Sequence, residues 1–224
     1  KMRFLGIRIR NNLINADVIS AESNHSLSLI GSELKEKLFL SVNGSNDELR
    51  FLQEDNIKSK SNIAVVIGTN PYKAISESFN IFEMLRRTRC DKLKLVIIGS
   101  SKNIPKYIRL NSNVLLKGLI PRDELINYLR EARYYISTTY IENSYNAASE
   151  GIFFAEESYI SDIEPHKELM LGMRHEIVNV PNVSRSIMHI RAKDISGINI
   201  KSWEEIVSEM IAKVNQILNV SPGC

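Results

Sequence analysis

Residues 133–168 run RYYISTTYIENSYNAASEGIFFAEESYISDIEPHKE. Tyr134–Thr138 is predicted to be a buried strand, a short polar turn follows, and a helix of small residues is predicted to begin near Ser144. A second strand, Ser158–Ser161, ends in Asp162-Ile163-Glu164-Pro165. The pattern predicts a strand–loop–helix–strand unit whose helix N-terminus can receive an anion.

Two carboxylates, Glu142 and Glu150, flank this helix start with seven residues between them. A diphosphate would be well held by the N–H groups of Ser144, Tyr145 and Asn146 at the helix start. The acid before the helix can accept hydrogen bonds from sugar hydroxyls, and the acid two turns along can accept both hydroxyls of a ribose. The alternative from spacing alone is a loop acid followed by an ordinary solvated helix residue.

Further strands and helices alternate on both sides of this unit. Apolar residues recur at helical spacing after the first of these strands and again behind Pro121, which suits a first helical position. Four more buried strands are predicted at Ile63–Ile67, Leu93–Ile98, Val114–Leu116 and His175–Val180. The sequence therefore predicts an α/β fold, a Rossmann-like doubly wound parallel sheet with helices on both faces. Such sheets bind ligands outside the carboxyl ends of their strands.

The two ends of the chain are less regular. Residues 1–15 give no sharp signal, residues 25–35 favour a helix, and residues 53–62 favour a polar linker. Short strands are predicted at Asp17–Ala21 and Lys37–Val42, the second closed by a turn at residues 43–47. A helix of about 17 residues is predicted after Ser202, a suitable N-cap, with Trp203, Ile206, Val207, Met210 and Ile211 on one apolar stripe.

Composition narrows the classes of function. The formal net charge of +3 gives no argument for a nucleic-acid partner. Two cysteines far apart, Cys90 and Cys224, favour reduced side chains and a cytoplasmic location. No apolar run approaches the roughly 20 residues that span a bilayer, and the first residues do not form a signal peptide.

Common cofactor and metal motifs are absent from the sequence. The segment after Ile67 is not a dinucleotide fingerprint, and there is no Walker loop, zinc spacing or nucleophile elbow. The acids of Asp162-Ile163-Glu164 are interpreted as part of a turn and not as metal ligands. The four histidines are interpreted as surface or structural residues.

The ordered motifs of this chain resemble the donor-binding, C-terminal half of GT-B glycosyltransferases, the family 4 group in particular. The strongest match is Thr139-Tyr140-Ile141-Glu142-x7-Glu150, followed by Ser161-Asp162-Ile163 and Pro165-His166-Lys167-Glu168. Weaker matches at Ala16–Ile19, residues 42–44, Gly68 with Lys73, Leu95–Gly99, Val114–Gly118 and Ser202-Trp203-Glu204 fall in the same order. The resemblance covers about residues 15–218.

The resemblance implies a role for each matching residue. Glu142 would contact the transferred sugar and help to stabilise its oxocarbenium-like transition state, and Glu150 would hold the ribose. Lys73 would neutralise the donor diphosphate, while a solvated lysine at a helix start is the alternative. Gly118 and Leu119 would lie against the base.

The remaining predicted donor contacts are Gly68, Thr69 and the segment Asn143 to Asn146. The family usually has an arginine directly after the first glycine, where this chain has Thr69. This departure leaves a catalytically silent binding or scaffolding domain as an alternative. A sugar-nucleotide epimerase or a phosphorylase is a second alternative.

The resemblance also implies a division of the chain. Residues 1–52 would be the end of the acceptor half and the interdomain connection, residues 53–201 the nucleotide-sugar-binding domain, and residues 202–224 a helix that packs back towards the acceptor half. Because the match begins near the last strand of the acceptor half, the chain is interpreted as a fragment. Part of the Trp203 stripe would then be exposed and could support self-association.

The expected function is therefore transfer of a sugar from a nucleotide-sugar to a saccharide or lipid-linked acceptor, in cell-surface polysaccharide or glycan synthesis. By resemblance the reaction would retain anomeric configuration and need no metal or other cofactor. The fragment alone is expected to be inactive or weakly active. The expected location is the cytoplasm, with peripheral association at the inner face of the membrane as an extension.

Overall fold

The computed structural model of the protein describes residues 2–42, 60–143, 145–194 and 202–219. The chain divides into two compact units. One contains residues 1–47 and 200–224, and the other contains residues 48–199. The predicted turn at residues 43–47 and most of the predicted linker at 53–62 lie outside the described residues.

Nine strands and eight helices lie within the described ranges. The strands are β1 Ile19–Ala21, β2 Leu38–Leu40, β3 Ser61–Ile67, β4 Lys94–Ile98, β5 Val114–Gly118, β6 Ala132–Ser137, β7 Glu157–Ser161, β8 Glu176–Val178 and β9 Ile187–Arg191. The helices are α1 Met2–Asn15, α2 Asn24–Ser28, α3 Ile75–Thr88, α4 Lys106–Arg109, α5 Arg122–Glu131, α6 Asn146–Phe154, α7 Glu164–Leu169 and α8 Trp203–Asn219. Short 3₁₀ turns cover Ser32–Lys37, Pro71–Lys73, Ser101–Asn103 and Ala192–Asp194.

Strands β3 to β9 form one sheet in the order β5-β4-β3-β6-β7-β9-β8. The five strands from β5 to β7 are parallel, as predicted, and the α/β fold class is confirmed. The predicted strand at His175–Val180 is shorter, lies at the edge and runs antiparallel to β9. Strand β9, which was not predicted, runs antiparallel to β7. The eight residues from 179 to 186 are too few for a parallel crossover, so β8 and β9 form a hairpin.

The central strands bury both of their faces. Along β3, Ala64 and Val66 belong to one apolar cluster and Val65 to the other, as the alternation of a strand requires. The first cluster contains the predicted apolar face of α3, namely Ile75, Phe79, Phe82 and Leu85. The second contains residues of α5 and α6, namely Leu129, Ile152, Phe153 and Phe154. Burial on both faces explains why these strands are continuous apolar runs and not alternating ones.

Lys60 and the two residues after it do not belong to the linker that was predicted at residues 53–62. Lys60 Nζ donates to the carbonyl oxygens of Arg130, at 2.8 Å, and Phe154, at 2.7 Å. Burial lowers the pKa of this amine, although the charge of Glu156 partly opposes the effect. Residues 61 and 62 already belong to β3. The polar composition of this segment therefore hid a half-buried lysine that connects the start of the sheet to the ends of α5 and α6.

The smaller unit contains a two-stranded parallel sheet of β1 and β2. Lys37 Nζ donates to the carbonyl oxygens of Ile14 and Ala16, each at 2.8 Å, and so holds the end of α1. Residues 1–15, which gave no sharp signal, contain α1. The helix predicted at residues 25–35 is instead the short α2 followed by a 3₁₀ turn, because Gly31 interrupts the segment.

The predicted N-cap of α8 is confirmed. Glu205 N donates to Ser202 Oγ at 3.1 Å, and Ser202 N donates to Glu205 Oε2 at 2.6 Å. The two bonds form a capping box, which satisfies backbone groups that a helix start would otherwise leave open. Among the described residues, no helix is long and apolar enough to cross a membrane.

Candidate functional site

The loops after β3 and β6 are joined by hydrogen bonds at the carboxyl end of the parallel strands. Tyr140 N donates to the carbonyl oxygen of Tyr72 at 2.7 Å. Thr138 Oγ1 donates to the carbonyl oxygen of Ala74 at 2.9 Å and lies 2.7 Å from Ser78 Oγ. These contacts join residues sixty or more positions apart in sequence. They fix the first loop, which carries Lys73, against the loop that carries the first predicted acid.

Lys73 and Glu142 form an ion pair across these joined loops. Each side chain is only 13% exposed, so the charges are partly shielded from water. Lys73 ends the 3₁₀ turn, and Ala74 follows in the left-handed region at φ 48°. A Cβ built on Gly68 would lie 3.3 Å from Lys73 Cε, so a glycine lets the lysine stem pass close to the strand end. The two residues predicted to act on the transferred sugar and the diphosphate are therefore adjacent.

Glu150 is held by a cation that was not predicted, Arg122. Arg122 Nη2 lies 2.5 Å from Glu150 Oε1, and the pair joins the start of α5 to the middle of α6. The Glu150 side chain is 12% exposed, whereas the Arg122 side chain is 53% exposed. The alternative for Glu150 was a solvated helix residue. The shielded carboxylate of Glu150 does not fit that alternative.

Helix α6 begins at Asn146, slightly later than predicted. Tyr145 precedes it as the N-cap residue, and its carbonyl oxygen accepts from Ser149 N at 2.7 Å. Burial, together with the charge of Glu168, raises the pKa of the Tyr145 hydroxyl. Asn143 is exposed, and Ser144 lies outside the described residues. The predicted contacts of Ser144 N–H with a diphosphate therefore stay a prediction.

Close packing fixes the position of α6 on the sheet. A Cβ on Gly151 would lie 2.3 Å from the ring of Tyr135, which is fully buried on β6. A side chain at residue 151 would push the helix away from the strand. Glycine at this position therefore brings Glu150, the preceding residue, down to the carboxyl edge of the sheet.

Thr69 makes a structural contact. Its side chain is 4% exposed, and Oγ1 donates to the carbonyl oxygen of Ser100 at 2.7 Å. A Cβ on Gly99 would approach the Thr69 side chain to 3.0 Å, so the β3 and β4 loop ends are tightly packed. The hydroxyl is therefore occupied, and this position supplies no cation where the family usually has arginine.

The predicted base-binding residues lie at the end of β5. Gly118 has φ 66°, and its carbonyl oxygen accepts from Gly99 N at 2.7 Å. Leu119 follows with 90% of its surface exposed. A left-handed glycine beside an exposed leucine leaves an open apolar surface at the same edge of the sheet as Glu142 and Glu150.

A polar cluster beside the Glu142 loop was missed by the sequence analysis. Glu77 Oε1 accepts from Tyr140 Oη at 2.5 Å and from Ser184 Oγ at 2.7 Å. The Arg185 guanidinium lies 4.5 Å from the centre of the Tyr140 ring. These residues come from α3, the β6–α6 loop and the β8–β9 loop. No local motif relates them, and only the antiparallel hairpin brings residues 184 and 185 to this edge.

His166, interpreted as a surface or structural residue, is fully buried on α7. Nδ1 lies 2.8 Å from the carbonyl oxygen of Ser161, so this nitrogen carries the proton and donates. Within the described residues Nε2 is buried without a partner. Burial, with a smaller contribution from the charge of Lys73, lowers the pKa of His166 to about 4 against the opposing effect of the Ser161 bond. The ring is therefore neutral at physiological pH.

The acids after β7 are paired with a lysine. Lys167 Nζ lies 3.6 Å from Asp162 Oδ1 and 2.9 Å from Glu164 Oε1. Glu164 begins α7, with Pro165 in its first turn. Among the described residues, no group of three or more His, Cys, Asp or Glu side chains is arranged to hold a metal ion.

Comparison with known protein structures identifies the type of fold. No family model and no curated protein matches the sequence. The structure matches sucrose-phosphate synthase from Thermosynechococcus elongatus with a TM-score of 0.61 and 15% identity, over 93% of this chain and 60% of that one. It also matches the trehalose-6-phosphate phosphatase N-terminal domain of Candida albicans with a TM-score of 0.53 and 14% identity, over 92% of this chain and 55% of that one.

The fold is GT-B-like. This finding confirms the fold that the resemblance predicted. The chain spans 60% of the length of the sucrose-phosphate synthase that it matches.

Proposed function

We propose that this chain is the donor-binding part of a nucleotide-sugar-dependent glycosyltransferase. The observation that carries the proposal is the convergence of Glu142, Glu150 and Lys73 at one edge of a GT-B-like sheet. Each side chain is shielded, although Glu and Lys side chains are mostly exposed in proteins. Two shielded acids and a cation beside a helix start suit a ligand that has both hydroxyls and phosphates.

In the proposed reaction, the bond between the anomeric carbon of the sugar and the diphosphate oxygen breaks. A bond forms from that carbon to an acceptor oxygen, whose proton passes to the departing diphosphate oxygen. Lys73 stabilises the negative charge on the departing nucleoside diphosphate, and Glu142 stabilises the positive charge that develops on the sugar. The ion pair between them places these opposite charges side by side, where the donor bond would break. Glu150 holds the ribose, and Gly118 with Leu119 contacts the base.

The finer features of the function follow the resemblance. We propose a retaining, metal-independent transfer to a saccharide or lipid-linked acceptor, in cell-surface polysaccharide or glycan synthesis. The proposed place is the cytoplasm, at the inner face of the membrane where the acceptor is lipid-linked. Donor binding is the part of this function that the described residues can supply.

Calorimetric titration of the chain with uridine and guanosine diphosphates, and with their sugars, tests the proposal. We expect one of these series to bind. The Glu150→Ala variant should bind the same ligand more weakly by about 1–3 kcal/mol, because a hydrogen bond between ribose and a charged, shielded carboxylate is lost.

Glu156→Ala is the matched control. Glu156 directly precedes β7, at the opposite edge of the sheet from the site. It pairs with Arg133 at 3.4 Å, its side chain is 45% exposed, and it is not among the predicted donor contacts. Its removal should leave the affinity unchanged. Absence of binding to every nucleotide by the intact chain would contradict the proposal, and an unchanged affinity in Glu150→Ala would remove Glu150 from the site.

A catalytically silent donor-binding domain is the second candidate, favoured by the contact of Thr69 with Ser100. Because residue 69 is not a cation, fewer groups remain to stabilise the negative charge of the diphosphate. Slow hydrolysis of the bound donor in water separates the two candidates. A silent domain should bind the donor without hydrolysing it, whereas a transferase should hydrolyse it at a rate that Glu142→Gln reduces.

A further inference from the structure

Each of the two predicted acids, Glu142 and Glu150, forms an ion pair with a cation from another part of the chain. Lys73 reaches Glu142 from the β3–α3 loop, and Arg122 reaches Glu150 from the start of α5. The two pairs differ in their exposure to solvent. Both members of the first are 13% exposed, whereas Arg122 is 53% exposed against 12% for Glu150. Arg122 is therefore the partner that can leave its acid and turn into solvent.

A ribose that places its two hydroxyls on the two carboxylate oxygens of Glu150 competes with Arg122 for Oε1, which accepts from Arg122 Nη2. Displacing Arg122 exchanges a hydrogen bond between two ionised groups for bonds from neutral hydroxyls to the carboxylate, which lack the attraction of an ion pair. A nucleoside has no anionic group with which Arg122 could pair after it leaves Glu150. A nucleoside phosphate carries one, attached to the same ribose.

We propose that Arg122 is a further donor-binding residue, which moves from Glu150 to the phosphates of a nucleoside diphosphate and so makes the site selective for phosphorylated nucleosides. This inference rests on the proposed function of Glu150 as the ribose ligand. Guanidinium groups bind phosphate through two parallel hydrogen bonds, as they do carboxylate, so the same side chain suits both partners. Arg122 would also supply an arginine to the phosphates where residue 69 does not.

The position of Arg122 suits this exchange. It is the first residue of α5, and α5 follows the Gly118 and Leu119 turn that is proposed to contact the base. Glu150 lies across the same edge on α6. A nucleotide with its base at Leu119 and its ribose at Glu150 would therefore lie directly beside the Arg122 side chain.

Affinities of paired ligands test the inference. Uridine is compared with uridine diphosphate, and guanosine with guanosine diphosphate, by calorimetric titration of the wild-type chain and of Arg122→Met. Methionine keeps an unbranched stem and removes the charge. We expect the nucleoside to bind about tenfold more tightly in Arg122→Met and the diphosphate about tenfold more weakly, since one charge-assisted hydrogen bond is released in the first case and lost in the second.

Arg87→Met is the matched control, because Arg87 also pairs with a glutamate, Glu83 at 3.8 Å, but lies on α3 outside the proposed site. The affinities of Arg87→Met for the two nucleosides and the two diphosphates should equal those of the wild type. An unchanged ratio of diphosphate to nucleoside affinity in Arg122→Met would overturn the inference while leaving the proposed function standing. Equal weakening of both ligands would also overturn it. Failure of the wild type to bind any of the four ligands would overturn the proposed function, and this inference with it.

Discussion

At the scale of single residues, the two acids of the site are stabilised by pairing. A shielded carboxylate without a partner costs several kcal/mol, so Glu142 and Glu150 each need a cation or a ligand. Lys73 and Arg122 fill this need in the structure. Removing either cation therefore changes stability as well as binding. For this reason the proposed tests compare ratios of affinities and matched control variants.

His166 should make stability depend on pH. Burial lowers its pKa to about 4, whereas an unfolded histidine titrates near ~6.5. Between these values the unfolded chain binds a proton that the folded chain does not, so stability falls as pH falls. We expect His166 to account for a loss of about 2 kcal/mol in the free energy of unfolding between pH 7 and pH 5. Urea denaturation at both pH values measures this loss.

The comparison variant is His166→Asn, which keeps an N–H donor for the Ser161 carbonyl but does not titrate. It should lose less stability than the wild type over the same pH interval. His175→Asn is the control, because His175 is exposed and its replacement should leave the pH dependence unchanged. Equal pH dependence in all three proteins would contradict the assignment to His166.

At the scale of elements, the Glu142 loop is stabilised by its contacts with α3 and the β8–β9 loop. Tyr140→Phe removes the hydroxyl that donates to Glu77 Oε1 and keeps the ring beneath Arg185. Glu77 Oε2 is already buried without a partner in the described residues. We expect the free energy of unfolding to decrease by about 1–3 kcal/mol, because a partly buried carboxylate loses a strong donor. Urea denaturation at neutral pH measures the decrease.

Tyr107→Phe provides the matched control. Tyr107 is 57% exposed and packs its ring against Phe79, so loss of its hydroxyl should have little effect. If both substitutions cost the same, the Tyr140 hydroxyl does not hold the loop. Donor affinity in Tyr140→Phe then shows whether a loosened loop also weakens the Lys73–Glu142 pair.

The parallel strands of the sheet could be predicted from sequence because burial on both faces makes them continuous apolar runs. Strand β9 was missed because His189 interrupts such a run. This histidine is buried between Glu157, at 2.6 Å, and the ring of Tyr159, on which it stacks. The bond from His189 lowers the pKa of Glu157. A polar residue stabilised by partners on a neighbouring strand has no local signature.

The positions of the acids could be predicted, but their partners could not. Glu142 and Glu150 were singled out by the resemblance to GT-B glycosyltransferases, because their spacing alone left a loop acid and a solvated helix residue as the alternative. Lys73 meets Glu142 because hydrogen bonds join two distant loops, and Arg122 meets Glu150 across the edge of the sheet. Such pairings depend on strand order, which local sequence patterns do not contain. The contact of Thr69 with Ser100 also depends on strand order, because it joins the ends of two neighbouring strands.

At the scale of the whole molecule, most of the apolar stripe of α8 is exposed to solvent, although Ile206 within it is buried. Trp203, Val207, Met210 and Ile211 are 48%, 43%, 39% and 54% exposed. Contiguous exposed apolar side chains favour association. We expect the average mass of the chain to rise with protein concentration in sedimentation velocity, as one copy covers this stripe on another. Val207→Lys should reduce the rise, because it places a charge within the stripe.

Ala212→Lys adds the same charge on the opposite side of α8, where helical spacing places residue 212 away from the stripe. This control should associate as the wild type does. A mass that is independent of concentration, or equal effects of the two lysines, would contradict self-association through the stripe.

The Lys73–Glu142 and Arg122–Glu150 ion pairs have a consequence for the kinetics of donor capture. Beyond a Debye length of about 8 Å, a cation held against a carboxylate exerts almost no field. An anionic donor is therefore not steered by Lys73 or Arg122 during its approach. We expect association in the ordinary range of about 10⁵–10⁷ M⁻¹s⁻¹, with little dependence on salt. Selectivity between donors would then arise after encounter, in the lifetime of the complex, once the Arg122–Glu150 pair has opened.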